Sequence, residues 1–236
     1  MLPALRPLLR RKPNTSPTDK SSDPMFSQAR AQMVEEQLRA RGIRDERVLA
    51  AMAKVRREVF VDAENALNAY ADFPLPIGDG QTISQPYIVA AMLEKLELDA
   101  TDRVLEVGTG TGYEAALLAE LSAEVWTIER HADLAQRAQK ILRALGYSNV
   151  HVVYGDGSRG LLERAPFDKI LVAAAAPSIP QVLIYQLADG GKLLLPVGTR
   201  QEQQLQLVQK FGDQISVKSE QACRFVPLVG EHGWEP

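Results

Sequence analysis

A glycine-rich segment at residues 104–113 most constrains how this 236-residue chain can fold. It reads Val-Leu-Glu-Val-Gly-Thr-Gly-Thr-Gly-Tyr, so a short apolar run leads into three closely spaced glycines and then into a helical pattern. Glycine lets the backbone turn sharply and approach a ligand closely, and ligands of open α/β sheets bind at the carboxyl ends of strands. The segment therefore predicts a strand, a ligand-binding turn and a helix.

The same alternation of strand and helix continues along the chain. Strands are predicted at 103–107, 124–128, 150–154, 169–173 and 192–195. Helices are predicted at 113–121, at 133–145 and near 180–187, and a half-exposed antiparallel strand is predicted around Leu205 and Leu207. This order indicates a doubly wound, Rossmann-like α/β fold with a mostly parallel sheet.

The region before the sheet divides into two parts near residue 25. Residues 1–24 contain five of the 14 prolines and no hydrophobic periodicity, so we expect a flexible tail there, with Met25 as an alternative start of translation. A helical pattern then begins at Ser27, and Asp45 is the predicted cap of a second helix. A Pro- and Gly-rich loop is predicted at 72–86, and Pro86 opens a third helix.

Composition excludes several classes of protein. Hydrophobic residues make up 45% of the chain, which favours a buried core. The net charge of −3 argues against a protein whose main function is to bind nucleic acid phosphates, because that requires a basic surface. The single cysteine, Cys223, cannot form an internal disulfide, and the three histidines, His131, His151 and His232, show no metal-ligand spacing. We find no membrane-spanning run and no signal peptide, and therefore expect a cytoplasmic protein without a bound metal.

The spacing of the glycines indicates the ligand. A dinucleotide fingerprint, G-x-G-x-x-G, would place its third glycine at Tyr113, whereas this chain has G-x-G-x-G. That spacing is expected for S-adenosylmethionine, which has no pyrophosphate. Glu129, at the end of the next strand, can accept hydrogen bonds from both ribose hydroxyls. We predict that Gly108, Gly110, Gly112 and Glu129 bind this ligand; a tight turn without a ligand is the alternative.

Two further acidic residues follow or end strands of the predicted sheet. Asp156 and Gly157 come after the third strand, where the Asp156 carboxylate can accept a hydrogen bond from the amine of adenine; an ordinary Asp-Gly turn is the alternative. Glu106, at the end of the first strand, either orients the glycine loop or the ligand's amino group, or is a satisfied buried acid.

The residues after the fourth strand constrain the chemistry of the methyl acceptor. Residues 173–177 read Ala-Ala-Ala-Ala-Pro, whereas methyltransferases that modify nucleic acid bases often carry an Asn/Asp-Pro-Pro-aromatic group there. A phenol or alcohol acceptor also needs a base, and none is evident. An acceptor that is already anionic, such as a carboxylate, needs no base, so the pattern favours that class and no nucleic acid partner.

From about Met33 to Trp234 the chain resembles protein-L-isoaspartate O-methyltransferases. The most specific match is residues 80–87, Gly-Gln-Thr-Ile-Ser-Gln-Pro-Tyr. Further matches, in the order expected, are residues 72–78, 104–113, 129–130, 155–157, 165–168, 186–191 and 225–228. The three departures are Arg56, where a proline commonly precedes arginine, Thr111, where serine is common, and Glu114, where glutamine is common.

The resemblance implies methyl transfer from S-adenosylmethionine to the free α-carboxylate of L-isoaspartyl residues in damaged proteins. It places Ser84 beside the methyl acceptor as the candidate catalytic residue, although Ser84 can also be read as the cap of the helix at Pro86. The remaining substrate-binding residues that it implies are Thr82, Ile83, Gln85 and Val226.

The expected organisation is a tail at 1–24 and one methyltransferase domain at 25–236, acting as a monomer without a membrane partner. Within the domain, residues 25–96 form an N-terminal cap with the substrate loop, and residues 97–236 form the cofactor-binding sheet and the C-terminal strands. Two other functions remain open: a same-fold enzyme with a different acceptor, and a binding module that senses S-adenosylmethionine or a nucleotide without chemistry.

Overall fold

The computed structural model describes residues 24–235, so the predicted tail lies, apart from Pro24, outside the described residues. The α-helices are α1 Pro24–Gln32, α2 Glu46–Lys54, α3 Pro86–Leu96, α4 Tyr113–Leu121, α5 Ala132–Ala144 and α6 Gln181–Tyr185. The strands are β1 Leu75–Gly78, β2 Gln81–Ile83, β3 Arg103–Val107, β4 Glu124–Glu129, β5 Val150–Tyr154, β6 Phe167–Val172, β7 Leu187–Gly198, β8 Gln203–Phe211 and β9 Gln214–Cys223.

Seven strands form one sheet in the order β5-β4-β3-β6-β7-β8-β9. Pairing is parallel from β5 to β7, and β8 and β9 are added antiparallel. The chain first moves outward from β3 to β5 and then returns to the other side of β3 with β6, so the strand order reverses between β3 and β6. This confirms the predicted α/β fold and puts a ligand-binding crevice at the carboxyl ends of these two strands.

Helices cover both faces of the sheet because most side chains on the central strands are apolar and buried. Helix α4 is buried over seven of its nine residues, among which Glu114 is the one charged side chain. The predicted cap of α2 is present, since the Asp45 carboxylate accepts a hydrogen bond from the backbone amide of Arg47 at 2.8 Å. The Arg47 guanidinium in turn donates to the Leu121 carbonyl at 2.9 Å, which ties the N-terminal cap to the end of α4.

The structure differs from the sequence-based expectations in four places. The strand predicted at 192–195 extends over Leu187–Gly198, and the helix predicted near 180–187 is correspondingly shorter. The predicted loop at 72–86 contains the antiparallel hairpin β1–β2, whose turn at Gly78, Asp79 and Gly80 has positive φ angles of 94°, 51° and 68°. The first helix begins at Pro24 rather than at Ser27. Strand β9 was not predicted, since most of its side chains are exposed and show no alternation of buried and exposed positions. Within residues 24–235 no helix is long and apolar enough to span a membrane.

Candidate active site

A cleft with about 830 Å³ of empty space opens at the carboxyl ends of β3 and β6, where the strand order reverses. Its wall includes eight of the residues that the sequence predicted for the site, namely Thr82, Ile83, Ser84, Gly108, Gly110, Glu129, Gly157 and Val226. The cleft therefore brings the glycine loop, the end of β4, the hairpin segment and the C-terminal segment together.

The glycine loop is held by the carboxylate of Glu129. Oε2 accepts a hydrogen bond from the Gly110 amide at 2.9 Å, and Oε1 accepts one from the His131 amide at 2.9 Å. Gly112 does not line the cleft but is the N-cap residue of α4 with a φ angle of 88°, and a Cβ there would lie 3.1 Å from Leu142 Cδ1. The loop thus needs glycine at that position both for its conformation and for packing against α5.

The loop amides leave little for a phosphate to bind. The Gly108 amide donates to the Ile128 carbonyl at 2.9 Å, and the Gly112 amide donates to the Thr109 carbonyl at 2.8 Å. The Gly110 amide is already bound to a carboxylate, which would repel an anion. A neutral ribose or a cationic group suits this end of the cleft better than a pyrophosphate does.

Two buried carboxylates lie beneath the loop. Glu106 is fully buried behind the wall, where the Thr127 hydroxyl donates to its Oε2 and Oε1 has no hydrogen-bond partner among the described residues. Glu114 lines the cleft, is 9% exposed, and its Oε1 likewise has no partner in residues 24–235. Burial, together with the nearby Glu114, raises the pKa of Glu106 well above its usual range. Burial also raises the pKa of Glu114 to about 8, against the opposing influence of Arg57.

The segment that carries Ser84 is fixed from behind by Arg57, a side chain with no exposure to solvent. Its Nη2 donates to the Ser84 carbonyl at 2.7 Å, and its Nε donates to the Ala69 carbonyl at 2.7 Å. The N-cap position of α3 is Gln85, one residue later than the alternative interpretation of Ser84 required, and its side chain makes no capping hydrogen bond. Ser84 therefore precedes the helix and borders the cleft.

A second groove adjoins the cleft on the side of Ser84. Four residues line both spaces: Thr82, Ser84, Ala173 and Val226. Of these two spaces, Gln85 lines only the groove, and its side-chain Nε2 donates a hydrogen bond to Asp72 Oδ2 at 2.7 Å. The C-terminal segment is held at the shared boundary because the Ala175 amide donates to the Val226 carbonyl at 2.7 Å.

Asp156 is placed beside the cleft rather than in its wall. Its Oδ1 accepts hydrogen bonds from the Ser158 amide at 2.9 Å and the Ser158 hydroxyl at 2.7 Å, while Oδ2 accepts from the Glu231 amide at 2.9 Å. Although burial opposes it, these bonds from Glu231 and Ser158 hold the pKa of Asp156 below its ordinary value. The neighbouring Gly157 approaches β3 closely, and a Cβ there would lie 2.6 Å from Val107 Cγ1.

The polar side chains in the wall of the cleft fit S-adenosylmethionine as a ligand. The wall has two acidic side chains, Glu114 and Glu129, and an exposed Arg130. The unpartnered Oε1 of Glu114 is a buried acceptor toward which a cationic group could donate, and this ligand carries a sulfonium and an ammonium. Among residues 24–235 no group of three or more His, Cys, Asp or Glu side chains could hold a metal ion.

Comparison with known proteins identifies the family. The model of the protein-L-isoaspartate (D-aspartate) O-methyltransferase family matches residues 28–233. The chain belongs to this family. A relative named protein-L-isoaspartate O-methyltransferase, from Koribacter versatilis, is 56% identical over 211 residues, which cover 89% of this chain and 95% of that protein.

Solved structures of the family have the same fold. One, titled protein-L-isoaspartate O-methyltransferase, has a TM-score of 0.79 and 29% identity, covering 86% of this chain and 67% of that one. Another, from Plasmodium falciparum and in complex with S-adenosyl-L-homocysteine, has a TM-score of 0.75 and 27% identity, covering 85% and 98%. Family membership makes this chain an S-adenosylmethionine-dependent methyltransferase and confirms the resemblance found in the sequence.

Sequence reasoning overlooked two residues that shape the site. Glu114 was noted as a departure from the family pattern, but the signal that it lies in the site is its position: an acid directly after the glycine loop in an otherwise apolar helix turn. Arg57 gave no signal, because an arginine next to another arginine is typical of an exposed turn. Only the structure shows that Arg57 is buried while Arg56 is half-buried.

Proposed function

We propose that this chain transfers the methyl group of S-adenosylmethionine to the free α-carboxylate of L-isoaspartyl residues in damaged proteins and peptides. One observation carries the proposal: Ser84 and Val226 belong to both the cleft and the adjoining groove, so a donor in the cleft and a peptide in the groove would meet at Ser84. The methyl ester then favours closure to a succinimide, whose hydrolysis returns part of the material to normal aspartate.

In this proposal the glycine loop and Glu129 hold the adenosyl part of the donor. The Glu129 carboxylate, 5% exposed and fixed by two backbone amides, accepts hydrogen bonds from the ribose hydroxyls. Gly108 and Gly157 give the ligand close access to the backbone, and Glu106 supports the loop from behind. Asp156 is proposed to accept from the adenine amine with the lone pairs that Ser158 and Glu231 leave free.

Ser84 orients the acceptor. Its hydroxyl donates to one carboxylate oxygen of the isoaspartyl residue, which directs the other toward the sulfonium methyl. A new oxygen–carbon bond forms as the sulfur–carbon bond breaks, and the products are the methyl ester and S-adenosylhomocysteine. No proton is removed from the acceptor, so alignment of the two reactants is the main task of the site. Thr82, Ile83, Gln85 and the backbone around Val226 shape the groove for the peptide.

The chain is further proposed to act in the cytoplasm as a monomer, without nucleic acid or membrane partners. A reducing compartment suits a chain with one cysteine, and the Cys223 thiol is half-buried with its pKa raised by burial to about 11, so it is poorly reactive.

The decisive experiment compares two peptides that differ only in one linkage, isoaspartyl or normal aspartyl. Methyl transfer from labelled S-adenosylmethionine is measured at equal peptide concentrations, and the label is tested for release by mild base. We expect base-labile label on the isoaspartyl peptide alone. Equal labelling of both peptides, or no labelling while the donor still binds, would show that the acceptor is a different one.

A further inference from the structure

The sulfonium centre of the donor has three substituents, and the proposed function places only two of them. The adenosyl group lies toward Glu129 and the methyl group toward Ser84. The third is an aminocarboxypropyl arm that ends in an ammonium and a carboxylate. Besides Glu129, the cleft wall contains one other acidic side chain, Glu114, at the start of α4.

Glu114 has the properties of a binding group that lacks its partner. It is nine-tenths buried, lines the cleft, and its Oε1 has no hydrogen-bond partner in the described chain. A buried carboxyl without a partner is unfavourable, and the other buried residues of α4 carry no charge and give no structural reason to have an acid there. Glutamine would fill the same volume without this cost.

The charged groups around Glu114 come from two other elements. Arg57, in the turn Arg57–Phe60, faces it from the N-terminal cap, and Glu106 faces it from β3. Arg57 is already bound to two backbone carbonyls, and Glu106 lies behind the wall of the cleft. Glu114 is thus the member of this buried group that a ligand can reach.

We propose that Glu114 binds the ammonium of the methionyl arm of S-adenosylmethionine, and that it gives up a proton to solvent when the ligand enters. The inference rests on the proposed function, since it takes the positions of the other two substituents from it. In the empty site at neutral pH burial keeps the carboxyl protonated. A cation within hydrogen-bond distance favours the ionised form, so binding and deprotonation occur together.

The test measures binding rather than turnover. S-adenosylhomocysteine carries the methionyl arm, and 5′-methylthioadenosine has the same adenosine and thioether but lacks the arm. Isothermal titration at pH about 7 gives the affinity of each ligand for the full chain and for Glu114→Gln, which keeps the size of the side chain. We expect the variant to bind S-adenosylhomocysteine at least ~10-fold more weakly and 5′-methylthioadenosine with unchanged affinity, as for the loss of one charge-assisted hydrogen bond.

Proton release supplies a second readout, which a purely structural role of Glu114 would not change. Titrations in buffers of different ionisation enthalpy should show that wild type releases up to ~1 proton with S-adenosylhomocysteine and none with 5′-methylthioadenosine. The variant should release none with either ligand. Unchanged affinity for S-adenosylhomocysteine in Glu114→Gln, equal weakening of both ligands, or proton release that persists in the variant would each overturn the inference.

The same ligands distinguish failure of the Glu114 inference from failure of the proposed function. If wild type bound neither ligand, the assignment of the cleft as the binding site of the methyl donor would be wrong, and the inference about Glu114 would fail with it. If wild type bound both ligands and labelled no isoaspartyl peptide, the acceptor would be wrong while the role of Glu114 stood.

Discussion

The guanidinium of Arg57 donates a hydrogen bond of 2.7 Å to the carbonyl oxygen of Ser84. A second hydrogen bond of 2.7 Å is donated to the carbonyl of Ala69, and the centroid of the Tyr113 ring lies 4.8 Å from the guanidinium carbon of Arg57. One buried cation thereby connects the N-terminal cap, the segment of the candidate acceptor residue and the first turn of α4. The position of Ser84 depends on a residue that does not line the cleft.

Arg57→Met should lower both stability and turnover. The substitution leaves the buried Ala69 carbonyl and the part-buried Ser84 carbonyl without their donor, at about 1–3 kcal/mol for a fully buried group, partly offset because a buried charge is removed. We expect a lower free energy of unfolding in urea, and a kcat that falls more than the affinity for S-adenosylhomocysteine. The matched control is Arg56→Met at the half-buried neighbour, which should change neither; similar effects at both positions would contradict a positioning role of Arg57.

Ser84→Ala should reduce turnover of an isoaspartyl peptide by about 10-fold or more, the equivalent of one lost hydrogen bond to a charged acceptor. The affinity for S-adenosylhomocysteine should stay within about 2-fold of wild type, since the backbone of Ser84 remains bound to Arg57. Steady-state kinetics and calorimetry check the two quantities, with the exposed Ser216→Ala as control. Equal loss of turnover and donor affinity would make Ser84 a structural residue.

Glu129→Gln should weaken both S-adenosylhomocysteine and 5′-methylthioadenosine. Both ligands carry the ribose, and a charge-assisted hydrogen bond contributes about 1.5–3 kcal/mol to binding. Part of the loss arises because glutamine accepts less well from the Gly110 and His131 amides. Calorimetry with the two ligands separates this residue from Glu114. Unchanged affinity for both would refute the ribose role of Glu129.

The stability of the chain should fall as pH rises from about 5 to about 8. The unfolded chain ionises Glu114 near the ordinary pKa of 4.5, whereas the folded chain keeps the proton until about 8. Over this window the folded state binds more protons, so the free energy of unfolding decreases by up to about 1.4 kcal/mol per pH unit. Glu106 acts in the same direction, because its pKa is also raised.

Urea unfolding across that pH range should therefore give a shallower slope for Glu114→Gln than for wild type. The exposed Glu64→Gln serves as the control and should leave the slope unchanged. If Glu114→Gln and wild type had the same slope, the Glu114 carboxyl would not hold its proton in the folded chain.

Removal of residues 1–23 should leave turnover, peptide KM and melting temperature unchanged. The cut keeps α1, whose residue Arg30 contacts the hydroxyl of Tyr70 at 3.2 Å. The proline content and the lack of hydrophobic periodicity of the removed sequence are the reasons for this expectation. Turnover and thermal unfolding of the shortened chain check this, and a large loss in either would give the tail a role in the enzyme.

The sequence predicted those parts of the fold that depend on local patterns. Buried parallel strands appear as short apolar runs, and the helix start at Asp45 appears as a capping residue before an apolar face. The hairpin β1–β2 was missed because Pro76 and the glycines of its turn are typical of loops, although a proline is tolerated in a short edge strand. Strand β9 was missed because it lies at the sheet edge with exposed side chains.

For the site, eight of the twelve residues identified from the sequence line the cleft, among them Ser84 and Glu129, whereas Gln85, Glu106, Gly112 and Asp156 lie beside or behind it. The reversed strand order explains why the glycine loop and Glu129 meet in one crevice, whereas Ser84 reaches that crevice from the segment after the separate hairpin β1–β2. The burial of Arg57 and the missing partner of Glu114 depend on packing between the N-terminal cap and α4, and these two residues are 57 positions apart in sequence. No local pattern contains that information.

The C-terminal segment closes the acceptor side of the cleft through Ala175, whose amide binds the Val226 carbonyl and whose own carbonyl accepts from the Leu228 amide at 2.8 Å and from Trp234 Nε1 at 3.0 Å. The glycine loop and strands β3 to β6 precede this segment by more than 50 residues in the chain. The segment, which supplies at Val226 a wall that the cleft and the groove share, is therefore the last part of the site to leave the ribosome during translation.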